Sequence, residues 1–154
     1  MDIEQSALKL IKVYLAQTDS ALKISKIISE HSTDKILNGD CIIAGLVYRL
    51  MTPMSQEEIN ESLQNADELM NDDDDTDDDD IDDDDINNDD IINDDIINDG
   101  EKEKKIKTNQ CNCEVCSHVR VCLCEFHNHE CVDELSQKFK DSIEFTCKKY
   151  NIII

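Results

Sequence analysis

The chain has no tryptophan, one proline, three glycines, and only three phenylalanines and three tyrosines. With a net charge of −22 over 154 residues, such a composition excludes one well-packed globule spanning the whole length. Basic residues are missing altogether from 71–99, where 17 acidic side chains lie; residues 1–70 carry 11 acids and 6 bases, and 100–154 carry 9 of each. The acidity therefore belongs to one tract and not to the flanks. Those flanks, about 70 and 55 residues long, are sizes at which burial alone is marginal and a metal or a partner is usually needed. The first residues, Met1-Asp2-Ile3-Glu4-Gln5-Ser6, lack the positive charge and apolar run of a secretory signal. Cys41–Val47 is far short of the roughly 20 apolar residues that span a bilayer. These absences predict an intracellular chain in a reducing compartment, cytoplasm or nucleus, with no membrane partner.

What is present divides into three. In residues 1–70, Ile3, Ala7, Leu10, Tyr14 and Leu8, Ile11, Leu15 recur at threes and fours, the pattern of a helix covering a core. Asp19 is a competent N-cap for a second helix carrying Ala21, Ile24, Ile27, Ile28 and His31, and His31 has no ligand-spaced Cys or His nearby. Asn38-Gly39 reads as a turn and Asp40 as the cap of an apolar helix Cys41–Met51, ended by Thr52-Pro53. Ser55 and Glu58 form a capping-box signature for a helix to about Met70. Four short helices are expected, with Cys41 as a core residue. Residues 71–107, dominated by Asp, Asn and Ile, cannot bury apolar area against their own repulsion and predict a disordered linker. The tract has no EF-hand spacing; its dense negative charge suits capture of basic proteins.

The third segment, 108–154, carries the chemistry. Six of the eight cysteines and three of the four histidines fall within 21 residues. With no export signal the thiols stay reduced, so metal is favoured over disulfides. Cys111, Cys113, Glu114, Cys116 and His118 reappear eleven residues on as Cys122, Cys124, Glu125, His127 and His129, a doubled C-x-C-E-x-[C/H]-x-H unit. Cys113-x-x-Cys116 aims two thiolates at one ion, and Cys124 with His127 repeats the span. Alternation of Val119, Val121 and Leu123 with Arg120, Cys122 and Cys124 predicts a hairpin. A helix from about Asn128 to Tyr150 follows, with Val132, Leu135, Phe139, Ile143, Cys147 and Tyr150 on one stripe and Cys147 in the core. With Cys131 there are nine candidate ligands. Two zinc ions account for eight of them and one ion is the runner-up, the mixed histidines favouring zinc over Cu(I) or an iron–sulfur cluster.

Enzymatic readings lack their signatures. No proline follows Pro53, so P-C-x-x-C of the zinc deaminases is missing, and H-E-x-x-H does not occur. Lys102, Lys104, Lys105, Lys107 and Arg120 could meet phosphates, but the segment is neutral overall, the acidic tract competes, and stacking aromatics are scarce.

Cys113, Cys116, His127 and Cys131 resemble the ligand scheme of small treble-clef and ββα zinc modules, a resemblance that implies a knuckle, a hairpin and ligands at a helix start. The Asp/Asn/Ile composition of the linker resembles low-complexity insertions in proteins of AT-rich giant DNA viruses and protists; a viral source would place the protein in the host cytoplasm. The expectation is a mainly α chain: a helical bundle over 1–70, a disordered linker over 71–107, and a zinc-stabilised hairpin plus helix over 108–154. The expected function is a non-catalytic zinc-binding adaptor with a protein partner. A nucleic-acid-binding or transcription-associated zinc protein is the alternative, and an acidic-tract binder of basic proteins the second.

Overall fold

The computed structural model describes residues 2–72 and 102–154; the Asp-rich stretch 73–101, expected as linker, lies outside the described residues. The described residues are mainly α-helical. They form α1 (Ile3–Glu30), α2 (Gly39–Met51), α3 (Gln56–Asn71), β1 (Lys104–Lys105), α4 (Glu114–Glu125), a 3-10 turn (Phe126–Asn128), α5 (Glu134–Lys149) and β2 (Ile152–Ile153).

One 28-residue helix replaces the two expected before residue 31. Neither Pro nor Gly interrupts it. Asp19 stays helical because its carboxylate has partners off the backbone, Lys23 Nζ at 3.3 Å and Asn65 Nδ2 at 3.2 Å. The apolar stripe is buried only toward its C-terminal half, at Ala21, Ile24 and Ile28; Ile3, Leu8, Leu10 and Ile11 remain exposed. Asn38, not Asp40, caps α2, its side-chain oxygen accepting from Cys41 N–H at 3.0 Å. Asp40 instead accepts from the Lys107 N–H at 3.1 Å.

Helices α1 and α2 approach closely at Gly45. A Cβ there would lie 2.5 Å from the Ala21 carbonyl oxygen and collide with Ser25 Oγ. Helix α3 runs antiparallel to α1, joined by Lys12–Asp67 at 2.6 Å and Lys23–Glu61 at 2.8 Å.

The capping box of α3 forms as its signature predicts: Glu58 N–H donates to Ser55 Oγ at 3.2 Å, and Ser55 N–H to Glu58 Oε2 at 2.7 Å. Glu58 also meets Arg49 at 3.2 Å, and that guanidinium is buried. The Ser55 N–H, together with Arg49, holds the Glu58 carboxyl below its ordinary range. Stability from a depressed carboxylate is present at neutral pH and is lost as the pH falls through its folded-state pKa. Glu58→Gln is therefore expected to be less stable than the parent near pH 7, with the gap closing in acid, as read by melting temperature against pH. Ser55→Ala should cost about 1 kcal/mol, or roughly 4 °C in melting temperature.

The expected hairpin is a helix. Cys116, Val119, Cys122, Leu123 and Phe126 are buried at helical spacing, whereas Val121 is 49% exposed. Three alternating residues are too few to fix the period, and Cys116 and Cys122 complete the apolar face of the helix as small buried residues. Helix α5 starts at Glu134, not near Asn128, because Asp133 accepts from Ser136 N–H at 2.7 Å and so supplies the cap. The chain leaves α5 through Asn151 at φ 52°, a left-handed conformation Asn tolerates, and pairs in parallel with β1. Residues 104–107, assigned to the linker by composition, thus belong to the folded part, with Ile106 only 7% exposed.

The segments 1–70 and 108–154 share one hydrophobic core. Ile24, Ile28, Ala44 and Val47 from the first meet Val119, Leu123, Phe126 and Ile143 from the second in one cluster. Cys41 and Cys147 lie in it as apolar residues, as expected.

Candidate metal centre

Helix α1 ends against the start of α4. His31 is the C-cap of α1, its N–H bonded to the Ile27 carbonyl at 3.1 Å. Cys113 is the N-cap of α4, its sulfur accepting from the Cys116 N–H at 3.4 Å where Ser or Asp commonly serves. A second N–H to sulfur bond, Cys113 to Cys111 at 3.4 Å, turns the chain before the helix. These local constraints point three sulfurs at one imidazole.

His31 Nδ1 is 3.4 Å from Cys111 Sγ, 3.3 Å from Cys113 Sγ and 3.5 Å from Cys116 Sγ. All four donor atoms lie within 4.8 Å of one another. Zinc bonds of about 2.3 Å to sulfur and 2.0–2.1 Å to nitrogen put tetrahedral N and S vertices about 3.5 Å apart. The spacing fits one zinc ion. Three thiolates and one imidazole fill a tetrahedron from the protein alone, the arrangement of a structural site.

The thiols differ in acidity. The Cys116 N–H, at the positive end of α4, holds Cys113 down at about 6, so its thiolate forms near neutrality. Burial pushes Cys116 up to about 11, with the Cys113 and Cys111 sulfurs beside it adding to the cost of a second negative charge. A divalent cation reverses that cost by supplying the opposite charge.

Asn109 braces the site. Its Nδ2 donates to the Ile28 carbonyl at 3.0 Å and to Cys116 Sγ at 3.3 Å, while its Oδ1 accepts from Cys111 N–H at 3.2 Å. Arg120 in turn donates to the Asn109 carbonyl at 3.0 Å. One amide thus fixes the end of α1, one ligand sulfur and the backbone of another ligand. Asn109→Ala is expected to weaken zinc binding about 10- to 100-fold without removing a ligand, measured by competition with a chromogenic chelator.

Of the nine ligands read from spacing, Cys111, Cys113 and Cys116 converge; His31, assigned no role there, is the fourth. The other six take separate positions. His118 packs edge-on against Tyr48 at 5.4 Å, and His127 against Phe126 at 5.4 Å. Cys122 is 3% exposed and 3.8 Å from the Thr52 hydroxyl, and burial raises its thiol pKa. Cys124 is exposed, and Cys131 is half-buried with its thiol also raised by burial. His129 gives its carbonyl to Lys140 Nζ at 2.8 Å.

Among the described residues, one group of three or more potential ligands comes together. The doubled motif takes two different conformations, a loop leading into α4 at 111–118 and the end of α4 with its 3-10 turn at 122–129. The C-x-x-C pair of the zinc-module resemblance does come together at Cys113 and Cys116, as the cap and first turn of α4. The hairpin does not form, and His31 and Cys111 stand where His127 and Cys131 would.

No described helix is long and apolar enough to cross a membrane. No family model, curated protein or solved structure matches the chain.

Proposed function

We propose that this protein is a non-catalytic adaptor whose fold is stapled by one structural zinc ion and whose surface binds another protein. The observation that carries the reading is the donor set itself: His31, Cys111, Cys113 and Cys116 supply four ligands. A hydrolytic zinc site keeps a position for water or substrate. Zinc here would act by charge and geometry alone, holding the end of α1 to the start of α4. Three ligand thiols that must remain reduced suit an intracellular, reducing compartment. Arg120 is engaged with Asn109, which leaves it poorly placed for phosphate and supports a protein partner over nucleic acid.

The test is native mass spectrometry and zinc-edge X-ray absorption on the full-length protein. One zinc per chain, with three sulfurs and one nitrogen in its shell, is expected. An oxygen vertex that exchanges with solvent would overturn the non-catalytic reading; a second bound zinc would overturn the single staple.

A further inference from the structure

Three adjoining depressions lie outside the candidate metal centre and together form a groove. Its centre is an open cavity of about 440 Å³ between α1, the α2–α3 connection, α3 and the segment before α5, lined by Leu50, Met51, Met54, Ile59 and Leu63 together with Arg49. At one end Val13, Gln17 and Ser136 continue it toward Leu135 and Phe139. Met51 and His129 also line a further depression, bordered by Glu125, Asn128 and Glu130. Val13 and Val132 stand on its rim, 42% and 96% exposed.

We propose that this groove is the docking site of the partner that the adaptor reading requires, and that its occupant is an amphipathic helix with apolar residues on one face and Lys or Arg on the other. The proposal rests on that reading for the existence of a protein partner, and on the groove for its chemistry. An apolar trough walled by helices takes the apolar face of another helix through anchors at i, i+3, i+4 and i+7. Met51 and Met54 supply unbranched, adaptable side chains where such anchors would seat.

Strand addition is disfavoured, since β1 and β2, the strands among the described residues, contribute nothing to the groove lining. Charge sets the sign of the other face. Glu125 and Glu130 border the adjoining depression, and Arg49, the cation lining the central cavity, is paired with Glu58 at 3.2 Å, so a basic helix is attracted and an acidic one repelled.

The test uses the zinc-loaded full-length protein and three 16-residue helical peptides: one with leucines on one face and lysines on the other, one with serine replacing leucine, and one with glutamate replacing lysine. The Leu/Lys peptide is expected to shift the Met51 and Met54 methyl resonances and to bind at least ~10-fold more tightly than either control. Val13→Lys, at an exposed position, should weaken it ~10-fold while zinc content and melting temperature stay at parent values. Glu130→Gln should weaken it about 3-fold at low salt and not at high salt.

Equal binding of the Leu/Lys and Ser/Lys peptides would overturn the proposal, because charge alone, including that of the acidic tract, would then suffice. So would methyl shifts confined to residues outside the groove, or indifference to Val13→Lys. None of these outcomes touches the zinc shell, on which the structural, non-catalytic part of that reading is judged separately.

Discussion

His31→Ala is expected to lose zinc at concentrations that saturate the parent, to melt roughly 15 °C lower, and to free the segment around Cys111–Cys116 from the end of α1. The reasoning starts from binding linkage. A ligand held only by the folded state, at about a thousandfold above its dissociation constant, stabilises it by about 4 kcal/mol. At roughly 4 °C per kcal/mol for a domain of this size, that is the stated shift. Small zinc-finger peptides depend on the metal for folding outright. Here the shared core of Val47, Val119, Leu123 and Phe126 gives the two segments a second bond. Metal loss should therefore open the site without melting α1–α3.

Hydrogen exchange would show it, with amides near residues 28–32 and 109–117 losing protection and those of α2 keeping most of theirs. Exhaustive chelation of the parent should reproduce the pattern. His118→Ala and His129→Ala, each at a position that spacing had also nominated, should retain one zinc. A His31→Ala protein with parental zinc affinity and melting temperature would remove the metal centre as described.

The second large effect is expected at Gly45→Val. The obstruction at this helix crossing includes the Ala21 backbone carbonyl as well as Ser25 Oγ, which itself donates to that carbonyl at 2.9 Å. A flexible side-chain end could swing away; a helix backbone cannot without moving its neighbours. Overpacking of this kind costs typically 1–3 kcal/mol. A branched side chain at a backbone contact falls at the upper end, about 3 kcal/mol, or roughly 12 °C in melting temperature. Gly39→Ala is the control, because a Cβ there meets nothing within 4 Å. If both variants melted alike, the close approach of α1 and α2 would be refuted.

Local signals were legible where a few adjacent residues decide the outcome. Ser55 with Glu58 defines the start of α3, and the Cys113-x-x-Cys116 span defines half of the metal centre. Long-range partnership was not. His31 is separated from Cys111 by 80 positions, and nothing in its neighbourhood marks it as a ligand. Its availability follows from where α1 stops and from how α4 packs across that end. The repeated C-x-C-E unit misled for a related reason. Equal sequence does not enforce equal structure, and the second copy falls where Cys122 and Phe126 are needed as core. Cysteine is both a metal ligand and a small apolar residue. Cys116 and Cys122 lie on the buried face of α4, so six clustered cysteines counted as ligands alone predict a hairpin where the chain forms a helix.

The staple joins parts of the chain that synthesis delivers far apart. The ribosome releases the imidazole of residue 31 long before the last thiol of the site at residue 116, so an ion can close its tetrahedron only once residue 116 has emerged. A backbone severed between residues 72 and 102 would leave two pieces, each holding an incomplete set of donors and one side of a common apolar interior. The cation would then become the rivet of a two-piece assembly, with a proteolytic nick in that interval leaving the halves together while zinc is bound.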